Sequence, residues 1–433
     1  MSLSVIAAIS IVLLFILFII GMPIGFSMAL VGFFGFAYIV NLPAAFSLVA
    51  IDTYNTFANY GFTVVPLFIL MGHIGANAGV AKRLYDLSNR FIGHIPGGLA
   101  LATIVGAVLF KSICGSAPAT SATFAKVAVP EMDRYGYDRS FSCATVATVG
   151  TLGNLLPPSV AMIIYAIITE QSIGRLFLAG VVPGLLVALS FLATIFGWCS
   201  IRPTIGPRGA RHGWKEKLAG LPAILPVAII FILVVGTLML GYFTPTEAGS
   251  VGTFAVLVWS LLKRDISFRG FIESVLDSLG AACMVLMLIA GATILGHFFA
   301  ATRMPFAVAD WLGNLSLPKE LIMVIIMLVY LVGGSFIDDI AFVILITPIL
   351  IPVINKLGFD PIWYGIMVMV TLMIGVVIPP VAINVFIVSS IANVPQATIY
   401  SGIYRYLIGL VICAAILLMF PQISLWLPNL LMG

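Results

Sequence analysis

Of the chain's 433 residues, 62% are hydrophobic and 8% are charged, with a formal net charge of +4. A soluble domain carries about 25% charged residues, so the composition excludes a water-facing globular protein and makes this an integral membrane protein. Strand-period alternation is absent, which argues against a barrel.

The apolar runs are long enough to cross a hydrocarbon core as helices. The first two predicted spans are 3–20 and 23–40, joined by a tight turn at Gly21-Met22-Pro23. Residues 3–20 lack a basic leader and a small-x-small cleavage site, so they read as a span rather than a signal peptide. A third span covers about 46–73. In 80–93, Val80, Leu84, Leu87 and Phe91 recur at spacings of three and four, with Lys82, Arg83, Asp86 and Arg90 between them. That pattern predicts an amphipathic helix along the membrane interface.

Residues 97–130 are apolar but interrupted at Cys114-Gly115-Ser116-Ala117-Pro118, which predicts a re-entrant hairpin. Backbone that leaves the helix at membrane depth must be buried in protein or face a water-filled cavity. Segment 140–169 is a span broken at 150–158 by Gly150, Gly153 and Pro157-Pro158, and 175–200 closes the first half. The polar stretch 202–217 links the halves. Spans 222–243, 246–262 and 270–297 come next, then an arm (304–316), a hairpin (320–353), a broken span (363–390, break at 375–380) and a last span (397–420).

The second half repeats the first at an offset of 222 residues. Pro157-Pro158 returns as Pro379-Pro380, Gly153 as Gly375, Pro130 as Pro352, Gly180 as Gly402 and Pro23 as Pro245. The turn Arg134-Tyr135-Gly136-Tyr137-Asp138 returns as Lys356-Leu357-Gly358-Phe359-Asp360. The expected fold is therefore an all-α polytopic membrane protein made of two repeats, 1–201 and 218–433, around the 202–217 linker. Each repeat has five spans, a hairpin and a broken helix. Because five is odd, the repeats sit inverted. With the N-terminus outside, thirteen Lys and Arg fall in cytoplasmic segments and five in outer ones, as the positive-inside rule requires.

Paired Gly/Pro breaks in matching places are the sequence sign of a secondary transporter. Broken helices offer loose carbonyls, which suit Na⁺, and free N–H groups at half-helix N-termini, which suit a carboxylate. Two ion sites are expected. The first combines Gly115, Ser116 and Ala117 with Gly153, Leu156 and Pro158. The second combines Gly333, Gly334 and Ser335 with Gly375, Ile378 and Pro380. Small residues let carbonyls approach an ion, and proline cannot donate the N–H that would satisfy a preceding carbonyl. Glycine and proline also simply kink helices and ease packing, but two matched breaks beside two matched hairpins favour an ion site.

Asp338 and Asp339 are adjacent carboxylates in an apolar stretch, where a charge is costly and usually functional. A carboxylate at a hairpin tip also caps helices. Both are candidates for the ion or substrate cavity. Ser116, Thr120, Ser121 and Thr123 are candidate substrate contacts, although hydroxyls in membrane helices commonly bond their own backbone. His73 and His297 lack ligand partners at i+3 or i+4 and read as interfacial, and Arg303 as a solvated anchor. Cys114, Cys143, Cys199, Cys283 and Cys413 show no CxxC spacing and are expected as free thiols.

Gly115-Ser116-x-Pro118-Ala119-Thr120-x-Ala122, Gly153-xxx-Pro157-Pro158-Ser159, Gly334-Ser335-Phe336-Ile337-Asp338 and the repeat together resemble the large membrane permease subunit of TRAP transporters (tripartite ATP-independent periplasmic). The resemblance covers essentially the whole chain. Asp339, which makes the acidic residue double, and the Gly-, Pro- and Arg-rich 203–213 depart from it.

The resemblance implies an elevator-type transporter in a bacterial or archaeal cytoplasmic membrane, with arms and outer spans as scaffold and hairpins and broken helices as the moving part. It implies Na⁺ as coupling ion and no other cofactor. It also implies a small four-span membrane subunit and a soluble periplasmic binding protein that delivers an organic acid. Beyond the lipid bilayer no further partner is expected, and no nucleic acid. A stand-alone Na⁺/dicarboxylate or citrate symporter of the same broad type remains an alternative. An intramembrane enzyme is remote, because HExxH, GxSG, GxGD and GxxxxGK[ST] are all missing.

Overall fold

The structure, a computed structural model, describes residues 3–314 and 316–432. Met1, Ser2 and Gly433 at the outer edges of the expected halves, and Leu315 within the expected 304–316 arm, lie outside the described residues. The described residues form helices joined by short turns, with no strand among them. Among the described residues, seven helices are long and apolar enough to cross a membrane, and five shorter apolar helices accompany them. Large apolar side chains point outward, among them Ile19 at 85% exposure and Phe268 at 81%. Water would not tolerate such a surface over this extent, whereas lipid would.

Both halves run through the same element order. Leu3–Ile19 and Ile24–Ile39 open the first, and Trp214–Met239 and Pro245–Leu262 the second. The repeated turn shows why the register is kept. Gly136 and Gly358 both have φ near +74°, a backbone region that favours glycine. Two residues on, Asp138 caps Arg139–Gly150 by accepting from the Phe141 N–H. Asp360 caps Pro361–Gly375 by accepting from the Ile362 and Trp363 N–H groups. Each turn thus ends a hairpin and starts a broken helix.

Four elements differ from expectation. The third span is two helices, Leu42–Ala58 and Val64–Asn77, separated by the 3-10 turn Tyr60–Thr63. The Asn59 side chain accepts from the Gly61 N–H, and Pro66 has no N–H to continue the ladder across the turn. Its counterpart, Phe268–Ala301, runs unbroken for 34 residues. The linker, expected only as a polar stretch, is anchored and ends in helix. Its Gly206 carbonyl accepts from Gly97, its Gly209 N–H donates to Gly93, its Ile205 carbonyl accepts from Asp138, and a helix begins at Trp214. The first hairpin continues through Pro130 to Arg134. A final helix, Gln422–Met432, comes after the last span and packs on Ile173–Ile201.

The arm helix Val80–Ile92 buries Leu84 and Leu87 as expected, together with Tyr85, against Gly98–Lys111. The second arm, Met304–Gly313, lies on Asp339–Leu357 and is held by a Lys356–Asp310 ion pair of 2.7 Å. Ile24–Ile39 lies along Phe268–Ala301 so closely that a Cβ on Gly25 would stand 2.8 Å from the Met287 carbonyl oxygen. These two helices form a closely packed wall, whose Phe268–Ala301 lies against the second hairpin's Asp339–Leu357.

Candidate functional site

The first hairpin consists of Gly98–Lys111 and Ala117–Arg134, with the non-helical tip at 112–116. Ser116 caps the second helix by accepting from the Ala119 N–H at 3.3 Å. The tip lies against the first broken segment, which runs Arg139–Gly150, a 3-10 turn Thr151–Asn154, a loop through Pro157-Pro158, then Val160–Ile168. The Gly115 carbonyl accepts from the Val160 N–H at 3.3 Å, and a Cβ on Gly115 would stand 2.7 Å from the Pro158 oxygen. Glycine is required there by close backbone approach. Gly153 faces the tip from the other side, 3.0 Å from the Ala117 nitrogen at the position a Cβ would take. Leu156 is buried and packs on Gly184.

The second hairpin, Lys319–Phe336 and Asp339–Leu357, is tighter. Only Ile337 and Asp338 lie outside helix, so Gly333, Gly334 and Ser335 form the last helical turn rather than the tip. The Ser335 carbonyl accepts from the Val381 N–H at 3.1 Å, just after Pro379-Pro380. A Cβ on Gly375 would stand 3.0 Å from the Gly334 carbonyl carbon. Ile378 closes a turn onto the Gly375 carbonyl at 3.3 Å. Each expected ion site is therefore brought together as a hairpin end against a break. They are not equivalent: Pro157 and Pro158 are buried, whereas Pro379 and Pro380 are exposed.

A cavity of about 360 Å³ lies between the two hairpins and the wall. Gly115, Ser116, Asn154, Asp338 and Asp339 line one side, and Ile69, His73, Ala281, Met284 and Val285 the other. Asp338 caps Asp339–Leu357 by accepting from the Ala341 N–H at 3.3 Å. Asp339 is 4% exposed. Its Oδ2 accepts from Asn154 Nδ2 at 2.6 Å and its Oδ1 from the Ile340 N–H at 2.8 Å. The Asn154–Asp339 bond joins the first break to the second hairpin, so the two halves share one polar centre.

Two residues of this centre were not singled out from sequence. Asn154 is one. Lys111 is the other: fully buried, it ends the first hairpin helix and donates from Nζ to the Ser116 carbonyl at 3.0 Å. Its ammonium lies where a Cβ on Gly153 would point. A lysine within an intramembrane hairpin is itself a functional signal. His73 lines the cavity rather than the interface. His297 lies apart on Phe268–Ala301, 3.4 Å from Asp52 of Leu42–Ala58. Thr120 is not among the lining residues; it is buried and donates to the Ser116 carbonyl at 2.9 Å. Thr123 likewise bonds back to the Ala119 carbonyl. The five cysteines are free thiols, with Cys283 exposed.

The model of the tripartite ATP-independent periplasmic transporter DctM component matches residues 11–423. The chain belongs to this family. The large permease protein DctM of a C4-dicarboxylate TRAP transporter from Pseudomonas aeruginosa is 34% identical over 388 residues, covering 89% of this chain and 90% of that one. The large permease protein SiaM of a sialic acid TRAP transporter from Vibrio cholerae is 31% identical over 95% and 96% of the two chains. An isethionate TRAP transporter permease protein, DctMQ from Oleidesulfovibrio alaskensis, is 32% identical over 87% of this chain and 59% of its own. Among solved structures, the Alcanivorax borkumensis YdaH transporter has the same fold, with a TM-score of 0.63 and 15% identity over 90% of each chain. This TRAP large permease subunit is thus an integral protein of the inner membrane, and its cavity sits where its two repeats meet.

Proposed function

We propose that this subunit imports an organic acid in symport with Na⁺, the acid being delivered by a soluble periplasmic binding protein. The observation that carries the reading is the composition of the cavity. Its lining presents two carboxylates, and no Arg or Lys among the described residues. An organic anion entering there meets like charge, and two unit charges 4 Å apart repel by about 4 kcal/mol at an effective dielectric constant of 20. A cation that travels with the substrate removes that penalty. Na⁺ suits the oxygen ligands available, which are backbone carbonyls at the hairpin ends and breaks and the carboxylates of Asp338 and Asp339. The relatives are named for a C4-dicarboxylate, sialic acid and isethionate, all organic anions.

Division of the chain at its 202–217 linker, with the N-terminus outside and the linker in the cytoplasm, accords with the charge asymmetry. The cavity lies between Val64–Asn77 with Phe268–Ala301 on one side, the latter backed by Ile24–Ile39, and the hairpins with their breaks on the other. We assign alternating access to movement of the hairpins and their breaks along the helices of the first side, as an elevator. The extra length of the DctMQ relative, beyond the part this chain matches, supports a small membrane subunit as partner. The chain acts as a carrier and not as an enzyme.

The test is reconstitution in liposomes with the small subunit and binding protein, following uptake of a labelled organic acid. Uptake should require all three components. Full uptake by this chain alone would replace the tripartite reading with a stand-alone symporter.

A further inference from the structure

The repeat predicts two equivalent ion positions, but the chain is not symmetric at them. The residue 222 positions after Lys111 is Gly333, so the second break has no such side chain. At the first break, Lys111 Nζ lies between the two elements expected to hold the ion. It donates to the Ser116 carbonyl at 3.0 Å and occupies the space in front of Gly153. It is completely buried, and Asp339 is hydrogen-bonded to Asn154, the residue after Gly153. An ammonium group is a compact point charge with three donors. Carbonyl oxygens that coordinate a monovalent cation also accept hydrogen bonds from an ammonium.

We propose that Lys111 is a tethered cation: its ammonium fills the first ion position permanently, and exchangeable Na⁺ binds only at the second. This rests on the Na⁺-coupled reading above. The second position has no fixed cation of its own, since Gly333 stands where Lys111 stands at the first, so it still requires a mobile cation when the substrate anion enters. The two breaks differ in exposure as well, with Pro157 and Pro158 buried and Pro379 and Pro380 exposed.

The experiment compares wild type with Lys111→Ala, Lys111→Ser and Lys111→Met by melting temperature of the purified protein, with Na⁺ replacing choline at constant ionic strength. Alanine and serine vacate the position, so Na⁺ should enter it. Both variants should melt below wild type in choline and gain about 2–4 °C more than wild type gains as Na⁺ rises well above its dissociation constant. Methionine fills the space without charge and should show no added gain. In the reconstituted system, Lys111→Ser should carry one more Na⁺ per substrate than wild type. A Na⁺ response of the alanine and serine variants equal to that of a Na⁺-dependent wild type would overturn the tether alone. A wild type indifferent to Na⁺ in both melting and uptake would overturn the coupling reading and the tether with it.

Discussion

Gly375 sets the distance between the second break and the second hairpin, and enlarging it should weaken Na⁺ binding in steps. A Cβ there would lie 3.0 Å from the Gly334 carbonyl carbon and 3.3 Å from both the Gly334 Cα and oxygen. All three are backbone atoms, so no flexible side chain can swing away. Alanine forces the two backbones apart by a few tenths of an ångström. Valine adds two methyl groups in the same gap. Overpacking of this kind costs about 1–3 kcal/mol, with alanine at the low end and valine at the high end. If the strain falls on the ion-bound geometry, it raises the Na⁺ half-saturation constant by about fivefold for Gly375→Ala and about 150-fold for Gly375→Val. The assay is initial uptake against Na⁺ concentration in liposomes, after gel filtration shows each variant to be monodisperse. Substrate delivery should be intact at saturating Na⁺ for alanine. Unchanged Na⁺ dependence in both variants would mean that the Gly334–Gly375 contact is a packing kink and that the ion lies elsewhere.

The same geometry sets further outcomes. Asn154→Leu removes the side-chain donor to buried Asp339 and should lower stability by about 1–3 kcal/mol, read as a melting shift; Asp339→Asn keeps an amide pair and should cost less stability while still impairing uptake. Gly153→Val drives a side chain into Lys111 Nζ and the Ala117 nitrogen and should abolish uptake without loss of membrane insertion, checked by fractionation. Thr120→Val loses only its bond to the Ser116 carbonyl, so the half-saturation constant for substrate should stay within twofold of wild type. For topology, cysteines at Ala210 and Asn314, in a background lacking exposed Cys283, should label from opposite sides of intact cells. Gly206 is unsuitable because it is buried, and a Cβ there would meet Cys199 Sγ at 2.7 Å.

Much of the fold was legible because the repeat is written in residues whose backbone roles are fixed. Gly136 and Gly358 must take positive φ, Asp138 and Asp360 cap the helices that begin beside them, and the Pro-Pro pairs mark the breaks. Together with the interruption at Cys114-Gly115-Ser116-Ala117-Pro118 and the 222-residue offset, these marked both hairpins and both breaks. The same reliance on symmetry hid the asymmetric parts of the site. Lys111 and Asn154 have Gly333 and Val376 as their counterparts, so a search for matched residues passes over them. The displacement of Gly334 and Ser335 into helix is also unsignalled, since tip length depends on which residue caps, and Asp338 caps one residue before Asp339. The break at Asn59 was masked by the apolar residues on either side, although Asn-Tyr-Gly with Pro66 beyond it carried the turn chemistry. His73 passed for an interfacial residue because nothing local shows which helix face meets the cavity.

On the proposed function, Na⁺ drives organic-anion uptake through this cavity. The most direct measurement is accumulation of a labelled organic acid in liposomes holding the permease and its small subunit, with binding protein outside and no ATP. An inward Na⁺ gradient should drive accumulation above the external concentration, and dissipating the gradient should release it. Equal accumulation when choline replaces Na⁺ on both sides would contradict the account.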